Sequence, residues 1–387
     1  MMLQDKNLLD NLVLTEEADS LLDAGFINKE QRAIIKKELR SFKIQRNILV
    51  RVAFFLLGAL LYLSICGFIT LIGYSGGDGF FKICLYLFAG VGILGAEYLT
   101  NQKYYRHGLD DAFILGILLN LGFGVIFSTE SYDIMLIPAV VIAIASLITY
   151  YRYLHLLSML VFCMACVAVL FFGMLELQYG EQVLPFIAML VAAGFYFFTK
   201  KRIASLTEKY FYNGLVLANS FCLVLFYLSC NYLVVRELSI DLLGYEMGDK
   251  EIPLWYFFYF MTFTVPPFYL YQALKTKDRI MLWISFLAIA FSIYTVRFYH
   301  SVLPIEVALT LGGLLLFAIA WFSIQKLKNK ETGLTFKPDR INNSNAILNA
   351  ETLIVASSFG LKPEVKTDSP MDFGGGGFSG GGSEGSF

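Results

Sequence analysis

The chain has 387 residues, of which 57% are hydrophobic and 16% charged, against about 25% charged in an ordinary soluble domain, which excludes a plain water-soluble globular fold. Aromatic residues make up 16% of the chain, with 36 Phe and 23 Tyr, a load suited to rings at lipid interfaces. The formal net charge of −1 names no partner, because the charges are segregated along the chain, and nucleic-acid binding has no motif to support it.

In chain order, the first 47 residues read as a cytoplasmic pair of basic helices. In "LTEEADSLLDAGFINKEQRAIIKKELRSFKIQRN" Thr15 can cap the first and Gly25 can end it, while Asn28 with Gln31 three residues on makes a capping box for the second. That second helix is expected to carry Lys36, Lys37, Arg40, Lys43 and Arg46 and to run on into the first span. Such a juxtamembrane basic helix either contacts anionic lipid headgroups or serves as a plain topology anchor. No cleavable signal peptide is expected, because a long charged stretch precedes the first apolar run.

Residues 48–325 read as a membrane domain. A span needs about 20 mostly apolar residues, and ten stretches qualify: 52–73, 80–99, 112–128, 134–151, 154–175, 183–199, 211–235, 253–275, 280–296 and 302–324. Lys and Arg concentrate in alternate short loops, such as "NQKYYRHG", "TKKRIASLTEK" and "KTKDR", which places both termini in the cytosol. The fold class expected is therefore an all-α polytopic helix bundle.

Two loops enter the following span alike. "KYYRHGLDDA" at 103–112 and "KYFYNGLVLA" at 209–218 share K-Y-aromatic-x-x-G-L-x-x-A. They suggest two parallel four-helix repeats, 80–175 and 183–296, flanked by single helices.

Residues 326–387 form an expected cytoplasmic tail, Gly/Ser-rich and disordered from about residue 370. Its Phe373, Phe378 and Phe387 either dock a protein partner or belong to an unstructured end.

The helical pair "LLDAGFINKEQRAII" followed by many spans, with "GLDDAFILGILLNLGFGVIFST" after the second, resembles a family of uncharacterised bacterial polytopic membrane proteins. Its members place a short G-x-I-x-x-E-Q segment ahead of a multi-span domain of unknown function. The resemblance implies a bacterial inner-membrane setting and supplies no catalytic residue.

Ionisable groups inside a membrane are functional candidates by default. Glu306 lies in the apolar run "VLPIEVALTLGG", just after Arg297 and His300. It either pairs with them to pin two spans together or lines a cavity as a proton or cation site. Glu97 is expected to pair with Lys103 or Arg106. Asn120 and Asn219 read as interhelical glue. Pro266 and Pro267 sit mid-span, where they either break the helix, as in carriers that bind substrate at broken helices, or kink it for packing. Cys163 and Cys166 make a lone CxxC without a second pair, so they read as buried apolar residues rather than a metal or redox site.

No HExxH, GxSxG or phosphate-cradling loop is present, so an enzyme is the least supported class and no cofactor or metal is expected. The best reading is a carrier for a small solute or lipid. The alternative is a non-catalytic scaffold or sensor acting through its N-terminal helices and its tail.

Overall fold

The computed structural model describes residues 2–23, 26–45, 47–72, 77–129, 135–243, 252–276 and 278–299, with isolated helical positions between Val307 and Gln325. Twelve α-helices lie among the described residues. Two precede the bundle, α1 (Lys6–Asp23) and α2 (Lys29–Glu38). The remainder are α3 (Ile48–Ile72), α4 (Gly77–Asn101), α5 (Leu109–Ser128), α6 (Leu136–Tyr153), α7 (Leu156–Leu175), α8 (Gly180–Ala204), α9 (Tyr212–Cys230), α10 (Tyr232–Leu243), α11 (Trp255–Thr276) and α12 (Arg279–Tyr299).

Eight of these elements are long and apolar enough to cross a bilayer: α3 to α8, α9 with its entry turn, and α12. The chain is thus an all-α, multi-pass membrane protein by the character of its helices. The outermost show why lipid is required. Only 17% of the apolar window of α3 is buried, and Leu60, Leu63, Phe68 and Leu71 point outward. By contrast half of the α5 window is buried, so α5 is a central helix. The eighth predicted span is α11, whose 22 residues include tyrosines and two prolines that lower its apolarity. The tenth, 302–324, lies almost wholly outside the described residues.

The helices pack as hairpins, α4 on α5, α6 on α7, α8 on α9 and α11 on α12. Two helices act as hubs. α5 touches α3, α4, α6 and α7, and α9 touches α7, α8, α10, α11 and α12. These are the two helices that the repeated K-Y-aromatic-x-x-G-L stretches lead into.

No break occurs at Pro266–Pro267: α11 runs through both prolines as one helix. A proline lacks the N–H that would bond the carbonyl four residues earlier. For Pro266 that carbonyl is Thr262, and Ser292 of α12 donates its hydroxyl to it at 2.7 Å. The neighbouring helix thus replaces the missing donor. The break falls instead within the seventh predicted span, at Asn231 between α9 and α10. There Asn231 Oδ1 accepts the N–H groups of Leu233 (3.0 Å) and Val234 (3.4 Å), and Tyr232 N–H donates to Thr262 Oγ1 at 2.9 Å. Tyr227 Oη meets Ser292 Oγ at 2.8 Å and receives Asn231 Nδ2 at 3.0 Å. One buried network therefore satisfies a proline gap and a helix start together.

The N-terminal segment departs from its expected form. α1 begins at Lys6, so Thr15 is no cap but lies mid-helix, donating to Asn11 O at 2.8 Å. The position expected to end α1, Gly25, is outside the described residues. The capping box of α2 is present, with Gln31 N to Asn28 Oδ1 at 2.7 Å and Asn28 N to Gln31 Oε1 at 2.9 Å. α2 does not run into the membrane domain. It ends at Glu38, and the chain from Leu39 passes in extended form along the loop after α4, with Lys43 N to Lys103 O at 2.9 Å. Leu8, Leu9 and Phe42 seal against Tyr105 and Leu154, and Leu3 N donates to Arg152 O at 3.1 Å. The end of the bundle that carries this segment is the proximal end.

Ser292→Ala should remove the donor that covers the Thr262 carbonyl and lower stability by about 1–2 kcal/mol. Thermal unfolding in detergent measures it, and Ser292→Thr should recover most of the loss.

Candidate functional site

The predicted site residues do not assemble into one place. Glu306 and His300 lie outside the described residues, and Arg297 is exposed in the last turn of α12. Pro266 is buried against the network just described and Pro267 is exposed. Asn120 acts as glue: its Nδ2 donates to Tyr62 Oη at 2.8 Å, tying α5 to α3. Asn219 does the same between α8 and α9, accepting from Thr199 Oγ1 at 2.9 Å. Lys36, Lys37 and Arg40 are exposed, Lys43 stacks its ammonium 4.5 Å from the Tyr104 ring, and Arg46 is outside the described residues. The partner of Glu97 is Arg152 of α6, rather than Lys103 or Arg106.

What the fold does assemble is an ionic cluster at the proximal end, built on "HGLDDA". Lys103 (φ 65°), Arg106 (φ 50°) and Gly108 (φ 107°) turn the loop through left-handed conformations. Gly108 has no substitute, because a Cβ there would lie 2.2 Å from Arg51 O. The loop is thereby laid flat on α3, with His107 against the rings of Phe54 (4.3 Å) and Tyr104 (4.9 Å). α5 then starts at once, putting Asp110 and Asp111 in its first turn, where its N-terminal dipole favours negative charge.

Asp110 Oδ1 accepts the N–H groups of His107 (2.9 Å) and Gly108 (3.0 Å). Asp111 Oδ2 receives Arg51 through Nε (2.8 Å) and Nη2 (2.6 Å). Its Oδ1 lies 3.2 Å from His155 Nε2. On the far side of the ring, Nδ1 accepts Ser158 N–H at 3.3 Å, so the imidazole proton is on Nε2, facing the carboxylate. Asp110, Asp111, His155 and Ser158 are all buried.

Ser158 Oγ also stands 3.0 Å from His155 Nδ1, giving the serine–histidine–aspartate connectivity of a hydrolytic relay. Ser158 has no exposed surface, however, and its own backbone N–H shares the same nitrogen. The arrangement orients the ring. The cluster thus gathers two carboxylates, the guanidinium of Arg51 and one imidazole at the start of α5.

This site was hidden because the third span was expected to begin at Ala112, which left both aspartates in a loop. The usable signal was the repeat itself. Where the first copy has Asp110 and Asp111 the second has Val216 and Leu217. The second copy also enters its helix differently, through a 3-10 turn at Lys209–Phe211, with Gly214 already helical and backed against Tyr150 Oη.

Burial holds the imidazole of His107 below the usual histidine range, against the opposing pull of Asp110 and Asp111. The unfolded value is about 6.5. Because the folded form binds the proton less readily, the stability contributed by neutral His107 is complete above that value and is lost as pH falls below it. Protease cutting of the 103–108 loop should therefore rise on acidification below about pH 6, and His107→Gln should flatten that rise. Asp111→Ala, which strands Arg51 and His155, should cost about 3 kcal/mol or more in thermal unfolding, with Asp111→Asn costing less.

Comparison with protein-family models, with curated proteins and with solved structures finds no match for this chain, and the function is read from its own geometry.

Proposed function

We propose that this protein is a membrane carrier for a small solute or lipid, with Asp111 and His155 as the pair that couples a proton to transport. The observation that carries the reading is the geometry of the proximal cluster, where two buried carboxylates, Asp110 and Asp111, meet the Arg51 guanidinium and the buried His155 imidazole. Buried charge at a membrane boundary is expensive, and a proton taken up by the cluster relieves it. The basic loops support a cytosolic proximal end in a bacterial inner membrane, the setting that the family resemblance implies. In this reading ten spans cross the bilayer, arranged as two four-helix units flanked by α3 and the apolar stretch 302–324. The aspartates of one unit alone make the pair of hubs, α5 and α9, functionally unequal.

A scaffold or sensor is the second reading, favoured by one observation. The N-terminal segment clasps both repeated loops, through Lys43 to Lys103 at one and through Lys6–Glu208 and Lys209–Glu17 at the other. In that reading removal of residues 1–45 abolishes partner retention and leaves proton binding untouched.

Dicyclohexylcarbodiimide, which attacks protonated carboxyls in apolar surroundings, tests the coupling role. Peptide mapping should find Asp110 or Asp111 modified far more below about pH 6 than above about pH 8, with His155→Gln shifting that dependence. Absence of labelling at every pH would mean a permanent ion pair and would remove the proton from the mechanism.

A further inference from the structure

A groove of about 240 Å³ runs between α6, α7, α8 and α9, on residues separate from the ionic cluster. Its floor and walls are apolar, among them Phe162, Val167, Leu170, Ala192, Ala218 and Leu225. The one hydroxyl in the lining besides that of Tyr151, Thr199 Oγ1, is already bonded to Phe195 O (2.8 Å) and Asn219 Oδ1 (2.9 Å). The walls thus offer an occupant little but apolar contact, so the part of it lying there is hydrocarbon. An apolar cavity of about 150 Å³ takes up benzene, and this one is larger.

Two features say which hydrocarbon. The groove opens at the outer surface of the bundle, where its lining residues Tyr151, Phe195 and Phe198 are about half exposed (55%, 49% and 53%), on helices whose outward faces are apolar. Its entrance is therefore in the lipid. At its proximal end α8 finishes in the exposed bases Lys200, Lys201 and Arg202. The Arg202 guanidinium sits 5.3 Å from the centre of the Phe198 ring, which itself lines the groove. A cation is thus held at the mouth, one helical turn from the hydrocarbon wall.

We infer that this groove holds one acyl chain of a phospholipid with an anionic headgroup, drawn from the leaflet at the proximal end, with the phosphate on Lys201 and Arg202. The charge selects the lipid class, and the apolar walls select the chain. Bases near a membrane surface each favour anionic lipid by about fivefold, so losing two should remove most of the headgroup preference.

The test uses full-length protein in vesicles doped with phosphatidylglycerol or phosphatidylcholine, each bearing a diazirine on one acyl chain. Photolysis followed by peptide mapping should place the phosphatidylglycerol adducts on Phe162–Leu170 of α7 and on Val191–Phe198 of α8, several-fold above the phosphatidylcholine yield. Val167→Trp, which fills the groove, should lower those adducts several-fold, and Leu225→Phe gives a second filling variant should the first fail to fold. Lys201→Glu with Arg202→Glu should bring phosphatidylglycerol down to the phosphatidylcholine level. Adducts spread evenly over the lipid-facing helices, or insensitive to both filling variants, would overturn the site. Equal yields from the two lipids in the unaltered protein would overturn the choice of an anionic headgroup.

Discussion

Hydrocarbon offers a polypeptide no hydrogen bonds, and every departure from a continuous helix must be answered by a side chain close by. This chain meets that demand locally where it can. Ser64, Thr70, Thr100, Ser146, Thr149 and Ser220 each return their hydroxyl to the carbonyl four residues back. Where the ladder is interrupted, the answer comes from another helix or from a capping side chain at the break. Ser292 covers the carbonyl exposed by Pro266, Thr262 receives the N–H of Tyr232, and Asn231 caps α10 with its own amide oxygen. The result is that the junction of α9, α10, α11 and α12 is tied together by these bonds.

The same constraint explains what could be read in advance. Apolarity per residue marks a crossing, so the long helices were legible together with the capping box of α2, whose two partners are three residues apart. Connections between distant residues were not. A helix that breaks at Pro266 and one that survives there differ only in whether a hydroxyl on the next helix happens to face the gap, and local sequence contains no term for it. Asn231, with no proline or glycine beside it, carries no obvious mark of a break. Glu97 had bases nearby in the chain, yet its partner Arg152 comes from α6, brought across by helix packing. Asp110 and Asp111 were visible as letters but sat beyond the apolar window, so that their burial depended on how the loop lies on α3.

The basic N-terminal segment shows how protein contacts can displace an expected role at the lipid surface. A continuous juxtamembrane helix would have spread its bases over headgroups. Instead the chain turns at Leu39, and the extended piece that follows pairs with the loop after α4. Phe42 packs against Tyr105, with ring centres 5.3 Å apart, and Lys43 covers Tyr104. Burial of Leu8, Leu9, Phe42 and Tyr105 supplies an apolar seal that exposed ion pairs such as Lys6–Glu208 could not provide alone, since such pairs contribute about 0–1 kcal/mol. Lys36, Lys37 and Arg40 stay exposed, on and just after a helix with no buried residue.

The ionic cluster and the groove are joined by the corner between α6 and α7. Tyr151 lines the groove, His155 belongs to the cluster, and Met159 lines the groove again, so both sites are written on one short stretch of chain. Between them Leu154 holds a left-handed backbone (φ 53°) while almost wholly buried, a conformation that L-residues bearing a bulky side chain rarely adopt and that persists only where packing over-determines it. The packing here is supplied by Leu8, Leu9 and Phe42 of the N-terminal segment. Three things consequently meet at one strained peptide: the seal of that segment, the orientation of the imidazole ring toward Asp111, and the wall of the groove. Tyr151 of the groove wall and His155 of the cluster are four residues apart, and the N-terminal segment packs on Leu154 between them.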